Sequence, residues 1–537
     1  MSTVRRAVFR VDASAEIGTG HVMRCLTLAA ALREAGWDCR FVMRAPPAPV
    51  ADQVRSRGVA LDALPPPGPE GAPAGDGPPH AAWLGVALER EIAESRAALQ
   101  AAAPDWVIVD HYALDARWET AAVPAGARVV VIDDLADRPH ACTLLLDPML
   151  GRRAEDYADL VPADARLLLG PAYAPLRPAF AARRDESLAR RKQPELRRLL
   201  ITMGGVDPEN VTGRILAALA AAGLPAGVDV VVVLGGAAPG IEEVKAAAAA
   251  APFPVTVKVD VDDMAGEMVA ADLAIGAAGT TSWERCCLGL PTLMLVTAEN
   301  QRGIARALDT AGAARLVGDA ADPDGPSRVA AEIEAFAAPD TLAATAARAA
   351  TICDGRGAAR VVRAMAAAGL ALRPATADDA EAVWHWRRAD GAERFYRAAR
   401  ETPLDSHLAW FDQALADPAR RLLIAEDRTG PVGHVRLDHD PLATAVERVS
   451  LCLAPERRGD GRAAAVLAAA EADAVARGIR RLVADIHADN ANSLHAFARA
   501  GYTWLGEDPP FRRLALDLPP DRAENPPDHT SRRAGAP

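Results

Sequence analysis

The chain has 537 residues, half of them apolar and a quarter charged, with a formal net charge of −12. That length exceeds what one core can serve and asks for three or four domains, and the composition is that of a globular chain. The acidic balance disfavours nucleic acid as the main partner, and with no run near eighteen apolar residues and no apolar signal core at the N-terminus, a cytoplasmic protein without membrane insertion is expected.

The first block alternates strand and helix patterns. Strands are expected at 6–12, 38–43, 106–110, 128–133, 143–147 and 166–170, with helices at 21–35 and 86–102, which implies a parallel, doubly wound sheet. Its opening carries the densest chemistry. An apolar strand ends in Asp12; a turn with Gly18 and Gly20 follows; then Val22, Cys25, Leu26, Ala29 and Leu32 recur at helical spacing. A strand, a glycine turn and a helix start make an anion site, because glycine lets the backbone approach closely and the helix offers unpaired N–H groups. His21 stands in the first helical turn with Arg24 one turn on, where open α/β sheets place their chemistry. The plainer alternative is an imidazole that caps the helix or fills a surface notch. Further along, 64–80 is crowded with Pro and Gly and reads as a flexible surface excursion. Asp110-His111-Tyr112 and Asp133-Asp134 bring polar groups to two more strand ends, with His111 a second acid/base or simply a turn cap.

The run Arg10-Val11-Asp12-Ala13-Ser14, then Ile17-Gly18-Thr19-Gly20-His21-Val22-Met23-Arg24, resembles the opening of the nucleotide-sugar hydrolases of pseudaminic acid biosynthesis. Those enzymes are relatives of GT-B glycosyltransferases, with two facing Rossmann-like domains. The resemblance implies release of UDP from a 2,4-diacetamido-2,4,6-trideoxy-altropyranose, with His21 and Asp12 catalytic and Gly18, Gly20 and Arg24 at the substrate.

A proline-rich stretch, 169–178, reads as a hinge, and by resemblance its Arg177 is a substrate contact, though a structural ion pair explains an Arg as well. A second alternating block follows, with strands near 198–203, 228–234, 255–259, 272–276 and 292–296. Gly204-Gly205 precedes a helix opening at Glu209, a turn able to receive phosphate oxygens on backbone N–H groups. Ala278-Gly279-Thr280-Thr281-Ser282-Trp283-Glu284, Gly289-Leu290-Pro291 and Glu299-Asn300-Gln301 come in the order in which UDP-sugar transferases of this architecture bind nucleotide. By resemblance, Gly279 and Thr280 hold the pyrophosphate, Glu284 the ribose or sugar, and Asn300 and Gln301 the sugar side; the alternative for Glu284 is a charge complementing the helix dipole. Residues 302–365 read as helical throughout.

The third block opens with a strand at 371–376 and a helix with Asp378 as N-cap that holds Val383, Trp384 and Trp386; strands follow at 421–426, 431–437 and 445–453. Pro455 to Ala464 is a basic, glycine-bearing turn into a helix, another pyrophosphate cradle. It resembles the coenzyme A loop of the GNAT N-acetyltransferases, with Arg458, Gly459, Gly461 and Arg462 as cofactor contacts; Asn490, Ser493, Phe497 and Gly501-Tyr502 fall at the spacing of that family's second segment. Two departures stand out. Glu456 brings negative charge beside the cradle, and Phe497 occupies the place where many members use a tyrosine to protonate the leaving thiolate, which a phenyl ring is unable to do.

The expected organisation is α/β: Rossmann-like domains at 1–175 and 176–366 in the GT-B manner, a GNAT α+β domain at 370–518, and a disordered tail at 519–537. The resemblances imply a UDP-activated amino sugar and acetyl-CoA as ligands. Seven cysteines without C-x-x-C or Cys/His spacing argue against a disulfide framework or a structural zinc, and no metal is expected. The competing reading is a UDP-sugar glycosyltransferase with a non-catalytic GNAT-like module.

Overall fold

The computed structural model describes residues 4–14, 16–68, 77–397, 402–459 and 461–518, so the tail expected to be disordered lies outside the described residues. Two compact units divide the chain, Val4–Ala358 and Ala359 onward.

The first unit holds two parallel sheets. One is built from β1 (Arg6–Val11), β2 (Asp38–Arg44), β3 (Ala60–Leu64), β4 (Trp106–Asp110), β5 (Arg128–Ile132), β6 (Leu144–Asp147) and β7 (Arg166–Leu169), in the order β3-β2-β1-β4-β5-β6-β7. The other is built from β8 (Arg198–Thr202), β9 (Asp229–Leu234), β10 (Val255–Val259), β11 (Leu273–Ala277), β12 (Thr292–Val296) and β13 (Arg315–Asp319), in the order β10-β9-β8-β11-β12-β13. Every residue of β4, β11 and β12 is buried, as expected of central strands covered on both faces by helices. Each sheet reverses its winding once, between β1 and β4 in the first and between β8 and β11 in the second. A crevice opens outside the strand ends at such a reversal. The turns after β1 and β4, and after β8 and β11, are those that carry the candidate residues.

The two sheets are joined within the unit. Met149 and Leu150, just past β6, pack against the core under β11 and β12, and Arg177 in the connecting segment pairs with Glu284 at 3.4 Å.

The second unit is a mixed sheet of β14 (Ala371–Pro374), β15 (Arg420–Asp427), β16 (Gly430–His439), β17 (Val446–Leu453), β18 (Arg481–His487), β19 (Thr503–Asp508) and β20 (Phe511–Asp517), ordered β14-β15-β16-β17-β18-β20-β19. All pairs are antiparallel except β17 with β18, which run parallel and pair over Val446–Arg448 and Arg481–Val483. Beyond that point the two strands continue without pairing to each other. One face packs a core including Val466, Leu482 and Phe497; the other packs Val383, Phe411 and Ile424.

Four local expectations need correction. β3 and β13 went unrecognised, the latter inside a stretch read as wholly helical; both are edge strands with mostly half-exposed residues, so neither has the apolar run of a central strand. The helix after Gly204-Gly205 starts at Val211 with Asn210, not Glu209, at its head. The helix Ala380–Arg388 is preceded by a capping box formed by Thr376 and Asp379 instead of a cap at Asp378.

Candidate active sites

His21 is the second residue of a helix spanning Gly20–Glu34, and β1 and β4 bring it against the end of the neighbouring strand. Its Nδ1 lies 2.6 Å from Asp110 Oδ1. Burial by itself pushes the Asp110 carboxyl up, but Arg24 and His21 outweigh it and hold it well below the usual carboxylate range. An ionised carboxylate only accepts, so Nδ1 carries the hydrogen and Nε2 presents its lone pair. Arg24 grips the same carboxylate at 2.7 and 2.6 Å and reaches Asp134 at 2.9 Å. Tyr112 donates to Asp134 at 2.5 Å and sets its ring edge-on to the imidazole, centroids 4.7 Å apart. The glycine turn stays open: a Cβ at Gly18 or Gly20 would meet nothing within 4 Å, and Gly18 has φ +73°.

Two expected site residues meet a different geometry here. The carboxylate that meets His21 is Asp110, not Asp12. Asp12 is gripped by Arg10 at 2.6 and 2.8 Å and accepts the Arg44 N–H at 2.6 Å; Arg10 and Arg44 in turn hold Glu91. Burial raises the Asp12 carboxyl, yet Arg10 and His111 overcome it and keep it low. His111 Nε2 stands 3.3 Å from Asp12, which puts His111 with that buried ion cluster. Arg24, expected at the substrate, has its donors on Asp110 and Asp134.

The excursion also ends differently from its expectation. Its far end packs on the site: His80 lies 4.6 Å from Trp83 and 5.3 Å from Tyr112, ring to ring, and Trp83 lies 5.7 Å from Tyr112. Among the described residues His80 Nδ1 is buried without a hydrogen-bond partner. Proline and glycine composition gives no hint of such a wall. Asp110 did leave a signal, a carboxylate ending the strand beside β1.

At the second sheet, a Cβ at Gly204 or Gly205 would meet nothing within 4 Å, but the helix behind is already capped. Asp207 accepts from the N–H groups of Val211 and Thr212, each at 2.9 Å, and Asn210 from Gly213 at 3.0 Å. Asp207 thus takes up the first N–H groups of that helix, while the glycine turn before it stays open. The turn after β11 is different. Thr280 heads the helix Thr281–Cys287 without a side-chain cap, and beneath it the buried Arg285 donates to the Ala277 carbonyl at 2.6 Å and to Ser282 at 3.0 Å. Burial lowers that guanidinium to about 10. Glu284 faces Arg177, and burial raises its carboxyl above the ordinary range despite the arginine. Gln301 comes beside Gly279, its Nε2 3.7 Å from where a Cβ would stand, and accepts from Thr297. Asn300 is exposed.

In the second unit, Gly459 and Gly461 adopt φ +95° and +71° at the head of the helix Arg462–Ala476, which has no side-chain cap. The arginine side chains turn away from this loop. Arg458 binds the Leu453 and Trp386 carbonyls and Asp390, and Arg462 pairs with Asp427. Asn490 caps the helix Ala491–Arg499 by accepting the Ser493 N–H at 3.1 Å. Phe497 is buried edge-on to Tyr502. On the opposite face lies a cavity of about 450 Å³, lined among others by Trp384, Arg387, Tyr396, Trp410, Arg436 and Arg448. Arg387 stacks 4.3 Å over Tyr396, and Arg388 4.9 Å over Trp384. No group of three or more His, Cys, Asp or Glu side chains fit to hold a metal ion occurs among the described residues, and no described helix is long and apolar enough to cross a membrane.

Residues 370–503 match the family model described as Acetyltransferase (GNAT) domain, so the C-terminal unit carries a domain of that family. A stretch of 124 residues is 32% identical to the spore coat polysaccharide biosynthesis protein SpsG of Bacillus subtilis (strain 168), covering 23% of this chain and 36% of that protein. Among solved structures, Acinetobacter baumannii MurG is 16% identical with a TM-score of 0.49, covering 67% of this chain and 98% of its own. Spermidine N-acetyltransferase from Vibrio cholerae, solved with CoA and spermine, is 16% identical with a TM-score of 0.26, covering 28% of this chain and 96% of its own.

Proposed function

We propose that the chain hydrolyses UDP-2,4-diacetamido-2,4,6-trideoxy-β-L-altropyranose to the free sugar and UDP, and that its C-terminal unit installs the 4-acetamido group from acetyl-CoA. One observation carries the hydrolase reading: the buried Asp110 takes His21 Nδ1 at 2.6 Å, which leaves Nε2 as the ring nitrogen able to accept a proton. Water attacks the anomeric carbon on the face opposite UDP, His21 Nε2 takes its proton, and the configuration inverts. Asp110 holds the tautomer and stabilises the imidazolium as it forms, while Arg24 and Tyr112 keep both in place. Charge on the departing pyrophosphate falls to the backbone N–H groups of the Gly279-Thr280 turn, with the Arg285 guanidinium buried beneath. Glu284 holds the ribose hydroxyls.

The acetyltransfer reading is supported by the GNAT match and by three features of the unit. The uncapped helix start behind Gly459 and Gly461 leaves N–H groups for a pyrophosphate. The half of β17 that does not pair with β18 offers backbone groups to the amide-bearing arm of coenzyme A. The cavity sets guanidinium groups and aromatic faces together, chemistry suited to the phosphates and base of a nucleotide sugar.

An NMR time course with purified protein, the 4-amino nucleotide sugar and acetyl-CoA tests both halves. Acetylation followed by release of UDP and free sugar is expected. Sugar release that waits on an added acceptor would instead make the first unit a glycosyltransferase.

A further inference from the structure

An acetyltransferase must return a proton to the thiolate it expels, and the structure removes the obvious donors. Phe497 has no hydroxyl. Tyr502, five residues on, packs in the core on the far side of the sheet with its hydroxyl buried and unpartnered, near Glu471 and Arg363. His434 is pushed down to about 3 by burial and by Arg387 and Arg436, so it is neutral and has no acidic imidazolium proton to give. His407 Nε2 is tied to the Ala380 carbonyl at 3.0 Å, and burial with Arg387 lowers the ring; its free nitrogen accepts.

Tyr396 is the other tyrosine of this unit. It lines the cavity, lies under the Arg387 guanidinium, and its hydroxyl interacts with the Cys452 thiol. Cys452 is buried on β17, within the half that leaves β18, and shares a face with Ser450, which lines the same cavity. The Tyr396 hydroxyl is therefore held at the inner end of the strand that would receive a thioester, on the side from which an amine would enter. Burial keeps it protonated.

We infer that Tyr396 is the catalytic acid of the acetyl transfer, taking over from a different element the role that Phe497 has lost; the inference rests on the acetyltransferase reading above. The substrate amine nitrogen attacks the thioester carbonyl carbon, the C–N bond forms and the C–S bond breaks. The Tyr396 O–H proton passes to the departing sulfur, giving the free thiol. The proton shed by the new amide nitrogen returns to the tyrosinate, so the step balances without another reactant.

The test uses the full chain with acetyl-CoA and UDP-2-acetamido-4-amino-2,4,6-trideoxy-β-L-altropyranose, following free thiol, and acetyl-CoA binding by calorimetry. Tyr396→Phe should lower kcat for thiol release about 100-fold or more, the range for loss of a general acid, with acetyl-CoA affinity within about twofold since Gly459 and Gly461 lie elsewhere. Thiol release by Tyr396→Phe within twofold of the parent overturns the inference while leaving the acetyltransferase reading intact. A loss explained by failure to bind acetyl-CoA overturns it as well, by making Tyr396 a binding residue. A parent protein that releases no thiol from this pair brings down the reading and the inference together.

Discussion

The two parallel sheets of the first unit reverse their winding at equivalent places, yet they fill those places with opposite chemistry. Between β1 and β4 stands a dense set of charged side chains, His21, Asp110, Arg24 and Asp134, each satisfied by another. Between β8 and β11 stand glycine turns and short polar residues, with Asp207 turned inward to cap its own helix and a single buried cation, Arg285, underneath. An orienting network suits a group that moves a proton, which needs one tautomer and one direction. Bare backbone suits a ligand that must come close and leave again. The same fold therefore divides labour by what it places at one topological point, and under the proposed function the first sheet does the chemistry while the second holds UDP.

The sharpest break of that contrast is His21→Asn. Loss of a general base typically costs 10²–10⁴-fold in rate, so UDP release should fall at least about 100-fold while UDP binding, measured by calorimetry, stays within about twofold because its contacts lie on the second sheet. Near-normal turnover would remove His21 from the mechanism. Asp110→Asn should come next, with kcat down about 100-fold: an amide no longer enforces the Nδ1–H tautomer, and the buried Arg24 loses half its charge balance. Adding imidazole to the His21→Asn assay should recover some rate; adding it to Asp110→Asn should not, since that ring is present but misdirected.

Asp12→Asn separates structure from chemistry within the first sheet. Removing one partner of a buried ion pair costs about 3–5 kcal/mol, and Arg10 would be left facing Glu91 alone, so chemical denaturation should show a loss of that order. What remains folded should retain kcat within a few-fold, as Asp12 does not touch His21. The acid response follows from the same groups. Asp12 and Asp110 both have carboxyls held low in the folded state, so the unfolded chain binds more protons on acidification; their stabilisation is complete above the unfolded value of about 4 and is lost as pH falls below it. The contribution of these two groups to the thermal midpoint should be constant from neutral pH to about 5 and then fall, and Asp12→Asn should remove part of that fall.

The central strands of the first unit were legible because burial on both faces writes them as runs of Val, Ile and Leu, as in Val107-Ile-Val-Asp110; β18 and β20 of the second unit were not read. The edge strands β3 and β13 were not, since most of their residues are only partly buried and neither carries an unbroken apolar run. His21 could be singled out from its place between a glycine turn and a helix, but its partner could not be chosen between Asp12 and Asp110. Both end adjacent strands, and only the direction of the side chains, with Arg10 folding back on Asp12, decides it. A similar limit applies to the arginines of the 455–462 loop. Sequence places Arg458 and Arg462 at a cradle; their partners Asp390 and Asp427 are 68 and 35 residues away, beyond any local pattern. His80 and Trp83 were hidden for a further reason, since what makes them part of the site is contact with Tyr112 across the fold.

The finest test of the division between the sheets is Glu284→Gln. A carboxylate accepting the two ribose hydroxyls of UDP contributes about 1.5–3 kcal/mol as a hydrogen bond to a charged group, and an amide retains part of it, so UDP affinity should fall about tenfold with kcat changed less than about twofold. The pH response gives the claim a second edge. Burial raises the Glu284 carboxyl above the ordinary range, so in the parent the ionised, accepting form is lost on acidification at higher pH than for an exposed glutamate. UDP affinity should weaken across that interval in the parent and stay level in Glu284→Gln, which has no proton to gain. A parallel decline in both would place the titrating group elsewhere, on the nucleotide or on the first sheet, and the ribose contact would have to be reassigned.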